Sequence, residues 1–119
     1  MRKLFGSLAG VWLLVLSSFT MLNASAYNAY VTNNGDNSVS VIDLSTNTVV
    51  GSPITVGTNP ISIAITPNGK LAYVVNNNSA NVSVIDTSTN SVVATVMVGM
   101  TPYGIAITPD GRYAYVTNQ

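Results

Sequence analysis

Apolar and polar positions alternate along most of this chain, in short runs. Ile61-Ser62-Ile63-Ala64-Ile65-Thr66 sets an apolar residue at every second position, the period of a strand whose two faces differ. Lys70-Leu71-Ala72-Tyr73-Val74-Val75, Val82-Ser83-Val84-Ile85-Asp86 and Ser91-Val92-Val93-Ala94-Thr95-Val96-Met97-Val98 follow. These runs are rich in the β-branched residues that suit strands. Between them stand Pro67-Asn68-Gly69, the polar stretch from Asn76 to Asn81, and Thr87-Ser88-Thr89-Asn90, all made of turn-forming residues. Gly69 accepts the left-handed conformation that a tight hairpin needs. The pattern predicts four short strands joined as one antiparallel meander. Val82 and Val84 point to one face and Ile85 to the other, so the sheet is expected to be packed between neighbours on both sides.

The same pattern returns along the chain. Ala29-Tyr30-Val31-Thr32-Asn33 recurs as Ala72-Tyr73-Val74-Val75-Asn76 and as Ala114-Tyr115-Val116-Thr117-Asn118. Val39-Ser40-Val41-Ile42-Asp43 recurs as Val82-Ser83-Val84-Ile85-Asp86, and Thr66-Pro67-Asn68-Gly69 as Thr108-Pro109-Asp110-Gly111. A strand-rich period of roughly 40–45 residues is that of a propeller blade. The expected fold is all-β, with β-propeller blades that are each a four-stranded antiparallel meander. The repeats are expected at about residues 29–59, 60–101 and 102–119. They hold three, four and two strands, about two and a quarter blades of an incomplete ring. The period is one residue shorter between Val93 and Pro102 than between Val50 and Pro60, and the change is expected just before the loop.

Residues 1–26 stand outside this pattern. Arg2 and Lys3 precede a mostly apolar stretch from Leu4 to Leu22, and Ala24-Ser25-Ala26 offers a small-x-small cleavage site. This is the order of parts in a secretory signal peptide. The expectation is an exported chain (secreted, periplasmic or on the cell surface) with a mature part from about Tyr27. A membrane becomes a partner only if the segment stays uncleaved.

Charge then narrows the function classes. Beyond the leader, Lys70 and Arg112 stand against Asp36, Asp43, Asp86 and Asp110. No basic patch is present to neutralise phosphates, which argues against nucleic acid as a partner. The chain has no Cys and no His. Ser-His-acid and Cys-His triads are therefore excluded within it, as are zinc sites built on those residues. With no Glu either, the acids are four aspartates. Asp43 and Asp86 each end a strand and precede a Ser-Thr-Asn turn, where an Asp side chain accepts hydrogen bonds from the amides just ahead. Their expected role is structural, as is that of Gly69 and Gly111 in the hairpins. Asp110 has Asn68 as its counterpart, an exchange that fits a turn and needs no charge. No catalytic residue, metal ligand or cofactor site is expected. Asp36 is the one acid in an Asn-rich loop, and a calcium site wants six to eight oxygens, typically several from carboxylates. Asn77-Asn78-Ser79 and Asn81-Val82-Ser83 match the N-glycosylation pattern.

The phrase Tyr30-Val31-Thr32-Asn33, with Val39 to Asp43, Val56-Gly57, Pro60 and Thr66-Pro67-Asn68-Gly69, resembles the YVTN-type β-propeller repeat family. The resemblance covers essentially residues 29–118 and is repeated in order. It departs at Val75, where the phrase has Thr. It implies exported bacterial or archaeal proteins, including surface-layer proteins, with kinship to lactonase-like propellers and to the propeller domains of redox enzymes. It also implies about seven blades, more than this chain carries. The chain is therefore expected to be a truncated piece, a subunit of an assembled ring, or a short open array, and the stop at Gln119 favours the first.

In an up-and-down blade the loop before the first strand and the loop between the second and third strands share one end. The resemblance makes that end the binding face. Its candidate ligand-facing residues are Asn33, Asn34, Asp36 and Asn37, then Asn76, Asn77, Asn78 and Asn81, with Asn59, Thr101 and Tyr103 near the channel. Such a surface suits a glycan or a polar surface protein, although Asn is also simply a good turn residue. The expected function is a non-enzymatic module with a cell-surface, scaffold or binding role, whose partners include other blades of the same or another chain. The alternatives are the front part of a larger lactonase-like or redox propeller enzyme, and a self-assembling repeat protein.

Overall fold

The computed structural model describes residues 27–119, so the expected signal segment, 1–26, lies outside the described residues. The strands are β1 (Asn28–Asn33), β2 (Ser38–Asp43), β3 (Thr48–Val49), β4 (Ile54–Thr55), β5 (Pro60–Ile65), β6 (Leu71–Asn76), β7 (Asn81–Asp86), β8 (Ser91–Met97), β9 (Pro102–Ile107) and β10 (Ala114–Asn118). All pairings are antiparallel. One turn of 3-10 helix, Asn34–Asp36, joins β1 to β2. The second sheet, β5-β6-β7-β8, is a complete meander, and the third holds β9 and β10. The chain is all-β and forms partial propeller blades.

The first sheet differs from expectation in its outer strand. One strand was expected after Asp43, but β2 pairs with β3 through Ile42 and Asp43 and with β4 through Ser38 and Val39. Between them Gly51 takes φ +64° and Pro53 has no N–H to donate, so the ladder breaks. The equivalent strand β8 runs unbroken past a milder bulge, where β7 steps from Ala94 to Val92 and leaves Val93 unpaired. The extra residue of the first repeat therefore lies inside the outer strand, not just before the loop. Nine expected strands become ten.

The period of two along each strand fixes the packing. Ala72 and Val74 on β6 share a face with Ile85 on β7, and all three are fully buried. They meet Val39, Val41 and Ile54 of the first sheet in one apolar cluster, flanked by Tyr30, Val56 and Ile63. The opposite face of the second sheet carries Tyr73, Val75, Val82 and Val84, and Tyr73 and Val82 look toward Ile105, Ala114 and Val116 of the third. The second blade is thus held between neighbours on both faces. Fully burying an aliphatic side chain of this size is worth about 1.5–3 kcal/mol, so this stack supplies most of the cohesion.

Candidate functional site

Four turns meet at the end where ligand-facing loops were expected, and the structure brings many of the named asparagines together there. Asn34 Nδ2 donates to Asn59 Oδ1. The Asn59 backbone N–H donates to Asn37 Oδ1 at 2.9 Å, and Asn59 Nδ2 reaches Asn77 Oδ1 at 3.4 Å and Asn78 Oδ1 at 3.3 Å. Asn77 Nδ2 donates to the Pro102 carbonyl at 2.8 Å. The result is a ladder of amides running from the first blade, across the approach to the second, to the start of the third. An amide both donates and accepts, so one residue type can link each rung to the next.

Backbone shape explains part of this choice. Asn37 and Asn59 have φ of 53° and 59°, in the left-handed region that Asn tolerates better than most residues. The repeat-equivalent residues are Ala80 at φ 51° and Thr101 at φ 44°, which lack that tolerance. Ala80 also has no side-chain oxygen to offer the Thr101 amide, as Asn37 does for Asn59. The second-to-third blade junction is therefore latched less fully than the first.

Three expected ligand-facing residues, Asn76, Asn81 and Asn33, are instead engaged in clamps within their own blades. Asn76 is fully buried. Its Nδ2 donates to Asn81 Oδ1 at 2.8 Å and to Ser83 Oγ at 2.9 Å, so Asn81 is occupied as well, and Asn76 Oδ1 has no partner. Asn33 makes the same clamp in the first blade, to Ser38 Oγ at 3.0 Å and Ser40 Oγ at 2.8 Å. Both sit two residues beyond a valine on the same strand, hence on the valine's face, and that alternation was the signal that sequence reasoning passed over. Asp36 lies exposed in the 3-10 turn. Thr101 Oγ1 donates to the Gln119 carbonyl, and Tyr103 is exposed on β9.

The clamp also explains the glycine of Val56-Gly57. A Cβ at Gly57 would lie 2.7 Å from the Asn76 amide and 2.6 Å from Ser79 Oγ. A Cβ at Gly99 would lie 2.8 Å from Asn118. The glycine that closes one repeat therefore receives the asparagine of the next. A further bond crosses the first junction, where the Tyr30 hydroxyl donates to Asn90 Oδ1 at 2.8 Å. Burial of Tyr30 holds its pKa above the usual phenol value.

At the opposite end the acids occupy turns. Asp43 Oδ1 accepts from the Ser45 hydroxyl at 2.5 Å and its amide at 2.7 Å. Asp86 Oδ1 accepts the same pair from Ser88 at 2.6 and 2.8 Å. These hydroxyls, then the amides, pull both carboxyls below their ordinary pKa. Asp110 is lowered first by the Thr108 hydroxyl and then by the Arg112 amide, while Asn68 Oδ1 accepts from Thr66 Oγ1 and the Lys70 amide. Charge is thus dispensable in that hairpin. Gly69 and Gly111 have φ of 72° and 71°, as a tight reversal requires. A half-open depression of about 490 Å³ lies at this end, lined by Asn68, Lys70, Leu71, Asp86, Thr87 and Ser88. No group of three acids gathers among the described residues.

Residues 8–119 match the family model described as YNCE-like beta-propeller. The chain belongs to that family. Within solved structures, this YNCE-like propeller resembles part of Kuenenia stuttgartiensis hydrazine synthase, with 36% identity and a TM-score of 0.74 over 76% of this chain and 26% of that one. It resembles a functionally unknown protein from Desulfotomaculum acetoxidans at 22% identity and TM-score 0.70, over 77% of this chain and 31% of the other. It also resembles dihydro-heme d1 dehydrogenase NirN at 24% identity and TM-score 0.67, over 75% and 19% of the two chains. A 40-residue stretch, 34% of this chain, is 60% identical to 8% of the PE-PGRS family protein PE_PGRS18 of Mycobacterium tuberculosis. The YNCE-like chain spans under a third of each of these proteins.

Proposed function

We propose that the chain is a non-catalytic, exported propeller module with a scaffold or binding role at the cell surface. The observation that carries this reading is the amide ladder. Polar loop groups that would serve a reaction in an active rim are here spent joining blade to blade. Three of the four aspartates are held by turn hydroxyls and amides. Export is supported by the order of parts in residues 1–26. The outward surface of the rim is neutral and rich in amides, and suits a glycan or a polar protein surface. The test is to express the chain in an exporting host, read its N-terminus and screen it against hydrolase and oxidoreductase substrates. A start at Tyr27 and no turnover are expected. Reproducible turnover would overturn the reading.

A second reading is favoured by the 36% identity to part of a hydrazine synthase. It makes these residues one section of a larger propeller enzyme whose reacting groups lie on other blades. Its test is the reading frame beyond codon 119, where further blades carrying His, Glu or Arg are required. Either way the partners of these blades include other blades. Ala29, Val31 and Ile42 occupy the repeat positions of the buried Ala72, Val74 and Ile85, yet Val31 is 43% exposed. That face is shaped to receive a blade from the same or another chain.

A further inference from the structure

Two Asn-Gly pairs occur in the described residues, Asn34-Gly35 and Asn68-Gly69, and both asparagines are exposed. Asn-Gly is the dipeptide whose side chain most readily meets the following backbone nitrogen, since glycine offers no Cβ to block it. The structure treats the two pairs differently. At Asn68 the reaction is held back on both sides. The Gly69 N–H is bonded to the Thr66 carbonyl at 2.8 Å. Asn68 Oδ1 is bonded by the Thr66 hydroxyl at 2.7 Å and the Lys70 amide at 3.0 Å. At Asn34 the pair opens a 3-10 turn, where the leading N–H groups have no partner within the helix. Only its Nδ2 is engaged, with Asn59 Oδ1, and the space around Gly35 is open.

We propose that Asn34 is a deamidation site, a slow modification that cuts the amide ladder at its first rung. The Gly35 nitrogen gives up its proton to solvent base and attacks Asn34 Cγ. A C–N bond closes a five-membered imide, and the Cγ–Nδ2 bond breaks to release ammonia. Water then opens the ring at one of its two carbonyl carbons. Opening at Cγ gives aspartate, and opening at the backbone carbonyl gives isoaspartate, with no oxidation or reduction in either branch.

The ladder makes the product consequential. The new carboxylate has no N–H and would face Asn59 Oδ1, acceptor against acceptor. Asn59 cannot simply turn over, because its Nδ2 is directed at Asn77 and Asn78. Asn77 in turn is committed to the Pro102 carbonyl. The added charge also lies two residues from Asp36. Loss of one amide nitrogen is therefore passed along the rim toward the third blade. At position 68 the aspartate product is structurally silent, since Asp110 already fills the equivalent place with the same bonds.

The test is a time course of the chain purified from an exporting host and held in warm, mildly alkaline buffer. Peptide mapping with isoaspartate detection reads each site. Mixed aspartate and isoaspartate at Asn34 are expected, at a rate about tenfold or more above that at Asn68, because each protecting hydrogen bond slows attack severalfold. Gly35→Ala has room for its Cβ and should suppress the reaction at Asn34 alone. Hydrogen exchange of Asn34→Asp should be faster at the Asn59 and Asn77 amides than in the parent chain. Equal or faster conversion at Asn68, or no conversion at Asn34, overturns the site. Unchanged exchange in Asn34→Asp overturns the link to the ladder.

Discussion

The second and third repeats use nearly the same words and bury them differently. Ala72 and Val74 are fully buried, while Ala114 is exposed and Val116 only half-buried. Tyr115 is 67% exposed, although its counterpart Tyr73 is half-buried. The strands have the same local pattern and the same hairpin clamp. What differs is the surroundings: among the described residues β10 has β9 alone beside it, where β6 lies between β5 and β7, and no further sheet covers the face that carries Tyr115. The contrast separates two contributions that repeats usually confound: local sequence sets strand, turn and register, and neighbours set how much each residue contributes to stability.

The largest test of that contrast lies in the core. Ile85→Ala should cost about 2–5 kcal/mol, as removal of a fully buried aliphatic group does. Ile42→Ala, at the same repeat position on a half-exposed face, should cost about half as much or less. Equal losses in chemical denaturation would break the comparison. The glycine pair gives the next effect. Gly57→Ala drives a Cβ into the buried Asn76 and should cost about 1–3 kcal/mol, whereas at Gly99→Ala the exposed Asn118 can swing aside, so the loss should be markedly smaller.

Two substitutions should strengthen the weaker junction. Ala80→Asn relieves a left-handed alanine and offers the Thr101 amide the acceptor that Asn37 gives Asn59, for a gain of about 1 kcal/mol. Thr101→Asn relieves a β-branched residue at positive φ for a similar gain. A lowered melting temperature in either variant would show that the two junctions are not built alike.

The smallest expected effect is that of pH. The folded pKa values of Asp43, Asp86 and Asp110 are lowered, so their stabilisation is present above the unfolded carboxylate value of about 3.9. It is lost as pH falls through the lower folded values. The groups are fully exposed, so the fall in melting temperature below about pH 4 should be slight. A triple Asp→Asn variant at these positions should show a flatter profile in that window.

Much of this was legible in the chain itself. Alternation located the four strands of the second blade, and Thr-Pro-Asn-Gly located its hairpin. The split of the first outer strand was written in Gly51-Ser52-Pro53, but a length difference alone does not say where in a strand a residue is absorbed. The asparagines were harder to read. Composition placed them all in loops, because Asn favours turns, while register put Asn33 and Asn76 at strand ends on the valine face, where each clamps its own blade and Asn76 also meets the neighbouring one. The ladder of Asn34, Asn59 and Asn77 joins residues from three separate turns, and no local pattern encodes that meeting.

The contact of Gly57 with Asn76, repeated by Gly99 with Asn118, spans the boundary between one unit and the next. Each unit therefore carries half of two joints. Duplication or deletion of a whole period, cut at any point, brings a glycine back against an asparagine of the same kind. A cut that is not a whole period sets a side chain where only glycine fits. The joint thus acts as a reading frame for gene rearrangement in protein form, one that permits arrays to lengthen and shorten by whole blades, while a single extra residue is absorbed within an outer strand between joints.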